Sequence, residues 1–286
     1  MSPSPPPVRP TRSSLLSTIR KIILPVAGDN ARYEAESIVC HCASLARQDL
    51  YLQGTVNVEA PQEYRALTMA RSRAAGTPLG YVLGVVHFHS VDIQVDPRVL
   101  IPRPDSEQLV ELILATENAD GALRFLDVGS GSGALTAALL HNRPQWRGYC
   151  CDISQGALDC SRNNLPPQAV LVRGDLLAPF ATRFDFMVSN PPYIARERIT
   201  GLEHSVRDHE PHVALDGGTD GLRFYRLLAA QAADCLVTGG RFYAEIGFDQ
   251  GAQAQHIFTS AGWQECRIGT DLAGRCRTLR ALPPLS

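Results

Sequence analysis

The chain has 286 residues, 44% of them hydrophobic, and its 27 basic side chains stand against 29 acidic ones. That length suits one large or two modest domains with a core that needs no staples, and the composition excludes a disordered chain, a collagen and a small disulfide scaffold. A formal charge of −2 offers no general basic surface for gripping nucleic acid by counterion release.

Eight cysteines, at positions 40, 42, 150, 151, 160, 235, 266 and 276, form no Cys-x-x-Cys pair and meet no paired histidines, so no metal site is expected. No run approaches the ~18 apolar residues of a membrane helix, and the start has no secretory pattern. A soluble protein of the reducing cytoplasm is expected.

Residues 1–12, with five prolines, read as a disordered tail. From 13 to 76 apolar groups recur at helical spacing, as in Leu15, Leu16, Ile19, Ile22 and Ile23, then Ala35, Ile38, Val39 and Cys42, and predict a small helical domain. The stretch 77–104 contains Gly80, Gly84 and a β-rich run through Tyr81, Val82, Leu83, Val85, Val86 and Phe88 to Val91, Ile93 and Val95, which predicts a β-hairpin linker. Asp105 then caps a helix carrying Leu109, Val110 and Leu112–Leu114, and opens a second domain over 105–286.

Strand and helix alternate from residue 124: strands over 124–128, 147–151, 170–172 and 184–189, with helices over 134–141 and 154–164 between the first three. A helix over 222–236, a strand over 241–246, a helix over 250–261 and two closing strands over 263–268 and 275–282 follow. This is the rhythm of a mostly parallel sheet with helices on both faces. Ligands of such sheets sit outside the carboxyl ends of the strands, so chemistry is sought just after each one.

After the first strand comes Asp127-Val128-Gly129-Ser130-Gly131-Ser132-Gly133, whose alternate glycines let the backbone turn sharply and approach a ligand. The next strand ends in Asp152, placed to accept from two ribose hydroxyls. Read loosely, Gly129, Gly131 and Ala134 also fit a dinucleotide pattern, so the turn alone does not separate a nicotinamide cofactor from S-adenosylmethionine. Asp127 favours the latter, because a carboxylate helps orient an ammonium and gains nothing beside a pyrophosphate. After the third strand, Asp175 is placed to accept from an adenine amine, with Leu176 against the ring; a turn aspartate is an equal reading.

The strand over 184–189 runs into Asn190-Pro191-Pro192-Tyr193. Prolines lack N–H groups and stiffen the turn, so the carbonyls around Asn190 and Pro191, together with the Asn190 side chain, are offered outward as acceptors, and Tyr193 gives a flat wall. Acceptors and a wall without a base suit a planar amino group, as in an amide or a nucleobase amine. Further on, Glu210-Pro211 and a turn-rich run over 214–222 form a long loop, which is a functional element or a solvated surface.

Seven ordered segments, Pro78–Gly84, Val99–Glu107, Asp127–Gly133, Asp152–Ser154, Asn190–Tyr193, Glu210-Pro211 and Glu245–Gly247, resemble the HemK/PrmC family of peptide chain release factor N5-glutamine methyltransferases over roughly residues 30–282. The resemblance implies a class I S-adenosylmethionine-dependent methyltransferase: a Rossmann-like α/β fold with a mostly parallel seven-stranded sheet, a small N-terminal helical substrate-recognition domain and a β-hairpin linker. It implies methyl transfer to the glutamine side-chain amide of the Gly-Gly-Gln motif of class 1 release factors. By position, Gly129, Ser130, Gly131, Ser132, Gly133, Asp152, Asp175, Leu176 and Asn190 would hold the cofactor. Asn190, Pro191, Pro192 and Tyr193 would bind the glutamine, with Asn190, Pro191 and Tyr193 catalytic. Gly80 replaces a longer polar residue common in the family, and the proline-rich start looks extra. The expected protein is a monomer that binds neither membrane nor nucleic acid. Rival readings are a glutamine methyltransferase of a large-subunit ribosomal protein, an adenine amino methyltransferase, a dinucleotide-dependent oxidoreductase and an inactive partner module.

Overall fold

The computed structural model describes residues 9–284, so most of the expected 1–12 tail lies outside the described residues. The chain divides into two compact units that part between Gly84 and Val85.

In the first unit, α1 (Arg12–Ala27) begins inside the expected tail, because Thr11 turns the chain from extended to helical and its side chain accepts from the Ser14 N–H. Leu15, Ile19, Ile23 and Ala27, each four apart, form its buried stripe. α2 (Ala31–Ala43) buries Ala35, Ile38, Val39 and Cys42 against it, and α3 (Arg47–Leu52) adds Leu50. A capping box between Glu59 and Gln62 starts α4 (Ala60–Ala74), whose buried Ala66 and Ala70 let the backbone pack closely. Arg73 answers Glu34 in this interior with a two-pronged bond, 2.6 and 3.1 Å. Leu79–Leu83, expected to be extended, forms a short helix, α5. Leu79 and Leu83, four apart, pack against the helical core, and Gly84 ends the turn at φ +72°. Burial of that pair outweighs the β preference of Tyr81 and Val82.

The second unit opens with an antiparallel hairpin of β1 (Val85–Phe88) and β2 (Val91–Gln94), which leads to α6 (Glu107–Thr116). Then follow β3 (Arg124–Val128), α7 (Ala134–Asn142), β4 (Arg147–Asp152), α8 (Gln155–Ser161), β5 (Val170–Arg173) and β6 (Phe184–Ser189). After a long loop containing α9 (His204–Arg207) come α10 (Arg223–Gln231), β7 (Leu236–Glu245), α11 (Gly251–Ser260), β8 (Gln264–Thr270) and β9 (Cys276–Leu282). The seven-stranded sheet has the order β5-β4-β3-β6-β7-β9-β8, parallel from β5 to β7, with β9 antiparallel to both neighbours.

That order reverses between β3 and β6: the chain leaves β3 toward β4 on one side, and β6 toward β7 on the other. A crevice opens at the carboxyl ends at such a reversal. Phe125 of β3 stacks on Phe186 of β6 with centroids 4.9 Å apart and planes within 7°, and Trp146 meets both edge-on. Gly148 of β4 is required there, since an added Cβ would lie 2.8 Å from the Phe125 ring.

Candidate active site

A cavity of ≈ 270 Å³ lies at this reversal, walled by the turns after β3, β4, β5 and β6. In the first turn the Gly129 and Ser130 N–H groups both bond the Cys151 carbonyl, at 2.8 and 3.1 Å, which folds the chain back over the end of β4. Gly129 and Gly131 have φ of +72° and +54°, and a Cβ on either would project into open space. The two residues thus keep free the volume a ligand takes when it lies against the backbone.

Gly129, Ser130, Gly131 and Ser132 line the cavity, but Gly133 does not. It begins α7 at φ +77°, where a Cβ would meet Ser161 and Leu165 at 3.1 to 3.2 Å, so its service is helix packing. The Asn164 side chain braces the turn, donating to the Ser132 carbonyl and to that of Gln94 in the hairpin, each at 2.9 Å.

Asp152 lines the cavity; its Oδ2 accepts from the Gly131 N–H at 2.9 Å and its Oδ1 from the Ser154 N–H at 2.8 Å. Each oxygen retains a lone pair, and burial pushes the carboxyl above its ordinary value. Asp127 is placed differently from its expected role and is absent from the lining. Successive strand residues point to opposite faces, and Val128 is the one that faces the cavity. Asp127 is buried behind the turn, where its Oδ2 accepts from the Thr136 hydroxyl at 2.8 Å. Its Oδ1 and the Ser130 hydroxyl find no hydrogen-bond partner among the described residues. Burial pushes the Asp127 carboxyl up to about 7. Asp175 and Leu176 both reach the wall, Leu176 in the left-handed region at φ 49°.

Asn190, Pro191 and Pro192 line the cavity beside the glycine turn, at the end of the strand paired with β3. The Ser189 hydroxyl donates to the Val128 carbonyl at 2.7 Å and pins the two strand ends together. The amide NH2 of Asn190 is engaged within the protein, donating to Glu245 Oε2 at 2.8 Å and to Ser106 Oγ at 3.1 Å, and Ser106 also lines the cavity. Among the described residues no donor takes its Oδ1, and no backbone N–H reaches the carbonyls of Asn190 or Pro191. Acceptors without a base are therefore what this turn presents, as its composition suggests.

Tyr193 stands behind that surface instead of forming its wall. Its hydroxyl donates to Glu245 Oε1 at 3.1 Å, and burial with the nearby Glu245 pushes its pKa upward. Gln250 holds its backbone, donating to the Tyr193 carbonyl at 2.9 Å and the Gly221 carbonyl at 3.3 Å while accepting from Tyr225. Buried Glu210 ties the roof: its carboxylate accepts from the Ile101 N–H at 3.2 Å and pairs with Arg103, while Pro102 and Pro211 line the cavity. The long loop thus has a part in the site. Ser106, Glu245 and Gln250 carry no sequence signal of these roles beyond the positions of Ser106 and Glu245 in the resembling segments. Among the described residues no group of three or more His, Cys, Asp or Glu is placed to hold a metal, and no helix is long and apolar enough to cross a membrane.

Residues 18–84 match the family model of the PrmC N-terminal domain, and residues 106–206 that of the methyltransferase small domain. A release factor glutamine methyltransferase of Agrobacterium fabrum is 35% identical over 278 residues, covering 94% of this chain and 96% of its own. One of Streptococcus pneumoniae is 42% identical over 210 residues, 72% of this chain and 75% of its own. Among solved structures, a methyltransferase of Pyrococcus furiosus matches with a TM-score of 0.50 at 17% identity, over 79% of this chain and 100% of that one, a likeness of fold.

Proposed function

The chain belongs to the release factor glutamine methyltransferases, and from that premise we propose that it methylates the side-chain amide nitrogen of the glutamine in the Gly-Gly-Gln motif of class 1 peptide chain release factors. The observation that carries this reading is the cavity-lining Asn190 carboxamide, fixed by its NH2 end while Oδ1 meets no donor among the described residues. Gly129 to Ser132, Asp152, Asp175 and Leu176 would hold S-adenosylmethionine, with the open space beside Gly129 and Gly131 taking its bulk. Bound there, S-adenosylmethionine supplies a methyl group on a positively charged sulfur.

The chain's residues deal with the amide's reluctance to react. Delocalisation of a primary amide's lone pair underlies a rotation barrier of about 18–20 kcal/mol, and Oδ1 of Asn190 with the carbonyls of Asn190 and Pro191 would hold both N–H groups. That grip biases the nitrogen toward a pyramidal shape with its lone pair aimed across the cavity. Positioning of this kind contributes on the order of 7–11 kcal/mol. Overall a C–N bond replaces a C–S bond, the sulfur loses its charge and the nitrogen gives up one proton. No strong base is needed, because an alkylated amide cation releases its proton readily.

On this reading the protein works as a monomer in the cytoplasm, its helical unit recognises the release factor, and a net charge of −2 gives nucleic acid no general hold. Incubation with labelled methyl donor and purified release factors, ribosomal proteins and nucleic acid, followed by mass spectrometry, tests it. Label on the Gly-Gly-Gln glutamine is expected; label confined to a ribosomal protein or to adenine would replace the reading.

A further inference from the structure

Two buried groups far away in the chain meet at Asn190. Ser106 lies in a single tight turn, Pro104–Ser106, that precedes α6, and Asp105 beside it is held by Arg277 of β9 at 2.8 Å. Glu245 ends β7, and the register that sets Ala244 beside Ser189 brings Glu245 next to Asn190. Both side chains are almost fully buried, at 3% and 2% exposure.

The two ends of a carboxamide have nearly the same shape and opposite hydrogen-bonding character, so its neighbours decide which end faces a ligand. Here the Ser106 hydroxyl donates to Glu245 Oε2 and has only acceptor capacity left for Asn190. Glu245 accepts at both oxygens, from Ser106 and Asn190 at Oε2 and from Tyr193 at Oε1. Both neighbours therefore demand the NH2 end. Turning the amide over would press Oδ1 against two buried oxygens, an arrangement folded proteins avoid. It would also point an NH2 group at an incoming NH2 group, two donors with no acceptor between them.

We propose that Glu245 and Ser106 are positioning residues for methyl transfer, which lock the Asn190 carboxamide with Oδ1 toward the cavity so that it meets the substrate amide only as an acceptor. The proposal rests on the glutamine reading above. Tyr193 contributes by holding the other oxygen of Glu245, which keeps the carboxylate from rotating. It follows that the site needs an acceptor at the Glu245 Oε2 position, and needs the negative charge less.

The full chain and a purified class 1 release factor suffice for the test, with S-adenosylhomocysteine as the probe of the cofactor site. Glu245→Met keeps the length and loses both acceptors; its kcat is expected to fall about 10²-fold, the effect of a misplaced contact group. The KM for the release factor and the Kd for S-adenosylhomocysteine should stay within about a factor of three, a margin below the effect of one typical hydrogen bond. Glu245→Gln keeps one oxygen and should recover about tenfold of the loss, as a retained neutral acceptor allows. Ser106→Ala removes one of two acceptors and should cost kcat about fivefold, an independent reading should the methionine variant fold poorly. An unchanged kcat in Glu245→Met and Ser106→Ala, equal losses in the glutamine and methionine variants, or a Kd that rises in step with the kcat loss would overturn the positioning role. A wild-type chain that leaves the release-factor glutamine unmodified would defeat the substrate reading and this proposal together.

Discussion

Replacing Asn190 with alanine takes a carboxamide from the cavity lining and leaves the backbone of the glycine turn after β3 untouched, so catalysis and cofactor binding should separate. Asn190→Ala is expected to lower kcat by about 10²-fold or more, with cofactor affinity unchanged to within a few fold, as steady-state kinetics and calorimetry would report. Asp127 offers a test of a different kind, since burial holds its carboxyl at about 7 against about 4 in the unfolded chain. The native state binds this proton more tightly than the unfolded chain does. The associated stability is therefore complete below about pH 4 and is lost as pH rises through about 7, a loss of about 4 kcal/mol. Asp127→Asn has no such proton to lose and keeps an oxygen for Thr136. The melting temperature of the variant should gain on that of the wild type between pH 4 and pH 7, and a constant difference across that range would contradict the assignment. The place of Asn190 and Pro191 at the cavity could be read from sequence because they directly follow a strand. The contact that Glu245 makes could not, because its partner lies 55 positions away in the chain.

At the level of elements, β3 and β6 have the bounds expected for them, 124–128 and 184–189, since strands buried on both faces crowd apolar residues together, here Phe125, Leu126 and Val128 and then Phe184, Phe186, Met187 and Val188. Elements whose limits depend on tertiary partners were less legible. The run expected to be one helix over 222–236 is helical only over Arg223–Gln231, then tightens through residues 232–235 and enters β7 at Leu236. Leu236 pairs with Phe184 across the sheet, a contact no local periodicity reports. Tyr193 departs from its expected place for a similar reason: an aromatic ring after two prolines suits a wall, but the buried Glu245 carboxylate draws its hydroxyl inward. Gln250, just before α11, turns these placements into a measurable dependence. Its amide serves the carbonyls of Tyr193 and Gly221 and the Tyr225 hydroxyl at once. Gln250→Ala should cost about 2–3 kcal/mol by leaving these groups unmet, seen as a lower denaturation midpoint in urea. Activity should fall further than cofactor affinity, because the turn that loses support is the one bearing Asn190.

For the molecule as a whole, the division between Gly84 and Val85 puts every residue lining the cavity in the second unit, the hairpin's Phe88 included. That unit has its own core, in which Phe184, Met187, Leu228, Phe242 and Phe258 are buried without help from the helices of the first. The first unit has another, built on Ile19, Ile23, Ile38 and Val39. A fragment of residues 85–286 should therefore fold and bind S-adenosylhomocysteine to within a few fold of the full chain. If the helical unit recognises the release factor, the same fragment should show a much higher KM for the intact protein while treating a short Gly-Gly-Gln peptide as the full chain does. The comparison of the two substrates is what gives the test its force, because general damage to the fragment would slow both alike. Equal efficiency of fragment and full chain on the intact release factor would remove recognition from the helices and return it to the loops around the cavity.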